Sequence, residues 1–148
     1  MLIHFLVRKQ YFQSLSNSQQ SLQDINGKLH SVKKQIHYLG GYLSSKRIYQ
    51  QLLQSKEKQQ YYQNHSSEIE KYRACKKELQ NFFHNGTFPS MKDLKARKST
   101  LEEDEKKTRD SISHYKHAIV QIDTVIQNIQ NILDSNSLDI TMHSSQDL

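Results

Sequence analysis

Residues 11–39, YFQSLSNSQQSLQDINGKLHSVKKQIHYL, carry apolar side chains at alternating steps of four and three positions. The series contains one polar residue and runs Tyr11, Leu15, Ser18, Leu22, Ile25, Leu29, Val32, Ile36, Leu39. A repeat of this kind over about four heptads is typical of a coiled-coil seam and predicts a long helix at about 3–39. The Gly40-Gly41 pair is expected to end this helix, because glycine readily adopts the left-handed cap conformation.

Three further helices are predicted after the glycine pair. A short helix at about 42–55 and a third helix at about 57–84 precede the turn-forming segment Asn85-Gly86-Thr87-Phe88-Pro89. Ser90, with Asp93 three residues later, resembles a capping box and predicts the start of the longest helix, at about 91–133. That helix carries a second apolar seam, which consists of Thr108, Ile112, Tyr115, Ile119, Ile122, Ile126, Ile129 and Leu133.

The two seams predict an all-α fold in which the first and last helices lie antiparallel. We expect residues 1–134 to form one elongated coiled-coil domain with short helices at its far end, and residues 135–148 to form an acidic, disordered tail. Dimerisation through either seam is the competing arrangement. In both cases the predicted assembly seam consists of Leu15, Leu22, Ile25, Leu29, Val32, Ile36, Ile112, Ile119, Ile122, Ile126, Ile129 and Leu133.

The composition excludes several classes of protein. Only 34% of the 148 residues are hydrophobic, and 4 Gly and 1 Pro give little of the turn chemistry that sheets need. The single cysteine, Cys75, cannot form an internal disulfide, which is typical of a reducing compartment and predicts a cytoplasmic protein. The apolar stretch Met1–Val7 is too short to span a membrane, so we predict no membrane association and interpret it as a helix start that needs a packing partner.

The positive charge is concentrated in the middle of the chain. Residues 28–98 contain 15 Lys and Arg against 5 Asp and Glu, within a chain of net charge +6, and six of the eight tyrosines lie between residues 38 and 72. Tyrosines that stack bases, beside cations that hold phosphates, form a nucleic-acid surface. The candidate residues for DNA binding are Lys46, Arg47, Tyr49, Lys58, Tyr62, Lys71, Arg73, Lys76 and Lys77. In the alternative interpretation the cations form a solvated face and the tyrosine rings pack into a thin core.

No catalytic, metal or cofactor site is predicted. His114 and His117 share a helix face, but no third ligand is placed to complete a metal site. Cys75 lies near several lysines without a base or a pocket to make it a nucleophile. The acidic run from Glu102 to Glu105 is typical of a solvated helix face, and the sequence contains no glycine-rich phosphate loop.

An ordered set of short segments resembles the C-terminal helical region of relaxases, the mobilisation nucleases of Gram-positive conjugative elements. The set covers roughly residues 28–133 and comprises Ile36-His-Tyr-Leu-Gly-Gly-Tyr42, Lys46-Arg-Ile-Tyr49, Tyr61-Tyr62, His65, Glu68-Ile69, Tyr72, Ala74, Lys76, Phe82-Phe83, Phe88-Pro-Ser-Met-Lys-Asp-Leu94 and Asn128-Ile-Gln-Asn-Ile-Leu133. In that family the nuclease chemistry lies upstream, with a tyrosine nucleophile and a histidine-bound metal. Those motifs have no counterpart in this chain, so the resemblance implies a non-catalytic helical module, either the tail of a truncated relaxase or a stand-alone accessory protein.

Two functions are therefore expected from the sequence. The first is a DNA-mobilisation module that assists conjugative transfer, with DNA, a relaxase or other transfer proteins, and further copies of itself as candidate partners. The alternative is a structural coiled-coil interaction protein with no nucleic-acid role, because the two seams need no ligand to explain them.

Overall fold

The computed structural model describes residues 1–146 and shows an all-α protein, as the sequence predicts. Within those residues there are three helices: α1 over Leu2–Gln54, α2 over Lys58–Phe82 and α3 over Met91–Gln146. No helix in this part of the chain is long and apolar enough to cross a membrane.

The helix boundaries differ from the sequence prediction in two places. The glycine pair does not end the first helix: α1 continues through Gly40 and Gly41 to Gln54, so the predicted helices at about 3–39 and 42–55 are one helix. α3 continues past Leu133 as helix through Gln146, where we predicted a disordered tail at 135–148. Residues 147 and 148 of that predicted tail lie outside the described residues.

The predicted turn and cap between α2 and α3 are confirmed. Gly86 has φ +75°, a left-handed conformation that glycine adopts without strain, and Asn85 Oδ1 accepts a hydrogen bond from the Thr87 amide at 3.2 Å. Ser90 Oγ accepts a hydrogen bond from the Asp93 amide at 3.1 Å, which satisfies one of the free N–H groups at the start of α3.

The chain divides into two compact units. The three-helix unit, Ile25–Asp104, contains the second half of α1, all of α2 and the start of α3. Its centre is a cluster of Leu39, Leu79 and Leu94, one residue from each helix, with exposures of 3% or less. Of the eleven buried hydrophobic residues in the described part of the chain, nine belong to this unit: Leu29, Val32, Leu39, Leu52, Ile69, Tyr72, Cys75, Leu79 and Leu94.

The glycine pair has a packing role in the three-helix unit. A Cβ atom placed on Gly41 would lie 2.5 Å from the Cys75 Sγ of α2, far inside van der Waals contact. Gly41 therefore lets α1 and α2 approach closely, and this contact explains a glycine in the middle of a continuous helix. At Gly40 the nearest atom would be the Met91 Cε at an ordinary 3.8 Å.

The two-helix unit consists of Met1–Asp24 and the described part of Glu105–Leu148. Here α1 and α3 run antiparallel, since Arg8 forms an ion pair with Asp123 while the rings of Tyr11 and Tyr115 lie 6.2 Å apart. Only Ile119 and Ile126 are buried hydrophobic residues in this unit, at 7% and 8% exposure.

Candidate protein-interaction surface

The two-helix unit exposes most of the large apolar side chains of the protein. Of the fifteen exposed large hydrophobic residues in the described chain, thirteen belong to this unit: Met1, Leu2, Ile3, Phe5, Leu6, Phe12, Val120, Val125, Ile132, Leu133, Leu138, Ile140 and Met142. The three-helix unit exposes only Leu43 and Leu53 among its described residues. Apolar surface is therefore concentrated on one unit, as at sites where a protein binds a partner.

The exposure follows from the number of helices in each unit. A pair of antiparallel helices buries one seam from each helix, and the side chains beside the seam remain in water. The sequence nevertheless places Phe5 and Phe12 on α1, and Val120 and Val125 on α3, outside the positions that the pair can cover. We call these thirteen exposed apolar side chains of the two-helix unit, taken together, the two-helix face.

The two-helix unit has almost no net charge. In the sequence, residues 1–24 and 105–148 contain 6 Lys and Arg against 7 Asp and Glu, while residues 25–104 contain 15 against 8, a net charge of +7. Arg8 is already paired with Asp123 and lies over the Phe12 ring, with its guanidinium carbon 4.6 Å from the ring centre. Exposed apolar side chains on a unit with almost no net charge favour contact with another protein over contact with a polyanion.

Most of the predicted seam residues of α1 and α3 are buried or partly buried. Leu29 and Val32 are buried, and so are Ile119 and Ile126. Partial burial is found for Leu15, Leu22, Ile25, Ile36, Ile112, Ile122 and Ile129, whereas Leu133 is 53% exposed. Their role in assembly stays a prediction.

The candidate DNA-binding residues are distributed over several separate clusters. Tyr49 stacks on Tyr72 with ring centres 4.2 Å apart, and Tyr42 stacks on the same residue at 5.1 Å, so these rings pack against one another. Burial, and next the hydrogen bond with Tyr42, raise the pKa of Tyr72 to about 12. Lys46 and Lys76 flank this stack, at 5.7 Å from the Tyr42 ring and 5.9 Å from the Tyr72 ring respectively.

In a second cluster, the carboxylate of Glu70 offsets the positive charge of Arg73. The Tyr62 hydroxyl donates to Glu70 at 2.8 Å, and Arg73 donates to the same carboxylate at 3.1 Å. The hydrogen bond to Glu70 also raises the pKa of Tyr62. The remaining candidates, all exposed cations, are Arg47, Lys58, Lys71 and Lys77. Because the central tyrosines are engaged in ring stacking, the arrangement resembles the thin-core alternative more than a base-stacking platform.

The other candidate residues from the sequence are Cys75 and the pair His114 and His117. Cys75 is buried against Gly41, and burial raises the pKa of its thiol, which disfavours the reactive thiolate. His114 and His117 are exposed on α3, and no group of three or more potential metal ligands occurs in the part of the chain that the structure describes.

A family model described as "Control of competence regulator ComK, YlbF/YmcA" matches residues 32–136, more than two thirds of the chain. No curated protein and no solved structure gives a significant match. The match overturns the predicted relationship to relaxases, together with the mobilisation, conjugation and plasmid roles that it implied. The residues behind that resemblance are common in polar helices, so their order along the chain is a weaker signal than a match over 105 consecutive positions.

Proposed function

The chain belongs to the YlbF/YmcA family of competence-control proteins, and we propose that it is a regulatory adaptor that controls competence by binding other proteins through the two-helix face. The family description names control of the competence regulator ComK, which is a regulatory role. The DNA-mobilisation function expected from the sequence is wrong, and the alternative of a helical interaction protein agrees better with the family.

The observation that carries the proposal is the concentration of exposed apolar side chains on the two-helix unit. Aromatic side chains such as Phe5 and Phe12, which are 47% and 42% exposed, resemble the anchors that dominate the energy of protein interfaces. The free, buried Cys75 requires no oxidising compartment, and we place this action in the cytoplasm.

Transformation frequency in the host organism tests this function. Deletion of the gene is expected to change the frequency, and the wild-type gene should restore it. The double variant Phe5→Gln/Phe12→Gln should fail to restore it, because the loss of two aromatic anchors weakens a protein interface by about 100-fold or more.

The matched control is Leu43→Gln/Leu53→Gln, which removes two apolar side chains of 48% and 57% exposure from the three-helix unit. This variant should complement the deletion like the wild-type gene. Circular dichroism and immunoblotting would show that both variants are folded and equally abundant. A deletion without effect, or equal complementation by the two variants, would contradict the proposal.

A further inference from the structure

The last turns of α3 have no helix beside them in the two-helix unit. Arg8 pairs with Asp123 and Tyr11 lies against Tyr115, and both helices rise about 1.5 Å per residue, so Leu2 at the start of α1 lies beside about residues 124–129. Every residue from 130 to 142 is exposed. We call residues 130–142 the overhang.

The overhang is a helix that exposes both apolar side chains and carboxylates. Its exposed apolar residues are Ile132, Leu133, Leu138, Ile140 and Met142, with exposures between 53% and 67%. Its charged residues are Asp134 and Asp139, neither of which has an ion-pair partner among the described residues, and no Lys or Arg follows Lys116 in the sequence. Such a helix is suited to a groove with apolar walls and a positive rim.

The three-helix unit contains a groove of that chemistry. The groove lies between α1 and α3, has a volume of about 570 Å³ and is lined by Lys28, Ser31, Val32, Gln35, Ala96, Arg97, Thr100 and Leu101. Among the described residues neither Lys28 nor Arg97 has an ion-pair partner. Beside the groove, the buried Oε1 of Gln35 accepts no hydrogen bond.

The groove lies on the N-terminal side of the part of α1 that contacts α2 through aromatic rings and a tyrosine hydroxyl. Those contacts run from Gln51, which accepts a hydrogen bond from Tyr61, to Tyr38, whose ring lies 6.5 Å from that of Phe82 at the end of α2. At residues 28–35, α1 is on the N-terminal side of that stretch. Among the described residues no ring contact or hydroxyl hydrogen bond joins this segment to α2, and the segment spans about two helical turns.

We propose that the overhang of one copy docks in the α1/α3 groove of a second copy. Its apolar side chains cover Val32 and Leu101, and Asp134 and Asp139 lie against Lys28 and Arg97. The stretch from Ile132 to Asp139 has the same number of residues as the α1 lining from Lys28 to Gln35, about 10 Å in each case. The contact joins different surfaces of the two copies, so it closes into a dimer if it is reciprocal and extends into larger assemblies if it is not.

This inference extends the proposed function by naming one protein partner, a second copy of the chain. It is tested on purified full-length protein by sedimentation velocity at low salt, which requires no competence phenotype. Wild-type protein should self-associate, and the groove variant Lys28→Glu/Arg97→Glu and the overhang variant Asp134→Lys/Asp139→Lys should each associate at least about 100-fold more weakly, because like charges then face each other.

Mixing the two variants should restore a one-to-one complex. The native overhang of the groove variant fits the native groove of the overhang variant, and the two altered surfaces are complementary to each other. The control variant Lys56→Glu/Lys58→Glu makes the same charge change at exposed positions around the start of α2 and should associate like the wild type.

A monomeric wild-type protein would overturn the inference, as would a mixture without a mixed complex or a control that is impaired as much as the groove variant. Failure here is distinguishable from failure of the proposed function. If the wild type is monomeric but Phe5→Gln/Phe12→Gln still fails to restore transformation, the two-helix face binds other proteins and only the self-docking is wrong.

Discussion

Replacement of Leu79 by alanine is expected to lower the free energy of unfolding by about 2–5 kcal/mol. Leu79 is 0% exposed and contacts Leu39 and Leu94, so its side chain joins α2 to both other helices of the three-helix unit. Removal of its terminal carbons loses hydrophobic burial and leaves a cavity that three helices surround. Urea unfolding followed by circular dichroism at 222 nm measures the change.

The matched control for Leu79→Ala is Leu53→Ala. Leu53 is 57% exposed on α1 of the same unit, so its truncation should change stability by less than about 0.5 kcal/mol. A loss below about 1 kcal/mol for Leu79→Ala, or equal losses at the two positions, would contradict the assignment of Leu79 to the core.

Alanine at Gly41 is expected to destabilise the protein by about 1–3 kcal/mol, although alanine is the better helix former. The new Cβ would meet Cys75 Sγ at 2.5 Å and Lys71 Cε at 3.3 Å. The lysine side chain can move away because its far end is flexible. Cys75 is buried, so α1 and α2 must separate to relieve the overlap.

Two other helical glycines and one double variant test this explanation. A Cβ on Gly27 meets nothing within 4 Å, and one on Gly40 makes only an ordinary contact, so alanine at either position should stabilise the helix by about 0.5–1 kcal/mol. In a Cys75→Ala background the overlap with sulfur is gone, and Gly41→Ala should become neutral or stabilising. A destabilisation that persists in that background would show that another contact is responsible.

The sequence predicts the helical class and most of the inward-facing positions because both depend on local periodicity. Leu29, Val32 and Leu39 are buried where the heptad pattern places them, and the turn at Gly86 and the cap at Ser90 depend on residues within four positions of each other. Signals of such short range can be recognised in a single sequence.

The predictions that were wrong depend on contacts between residues far apart in the sequence. Gly40-Gly41 is a typical helix stop, and only the position of Cys75 on α2, 34 residues later, shows that Gly41 permits a close helix contact. The polar residues 135–146 are typical of a disordered tail, yet they continue α3. The two-helix face could be predicted only in part. The apolar Met1–Val7 stretch indicates a need for a packing partner. The register of α1 against α3, which the sequence does not show, decides which side chains the pair of helices leaves exposed.

The proposed binding of proteins through the two-helix face is tested most directly by site-specific photo-crosslinking in living cells of the host. A photoreactive phenylalanine analogue would replace Phe12 on that face or Leu53 in the three-helix unit, two exposed apolar positions on α1. We expect discrete protein adducts, identified by mass spectrometry, from position 12 and none above background from position 53. Equal adducts from both positions, or adducts from position 12 that nuclease treatment removes, would contradict the account.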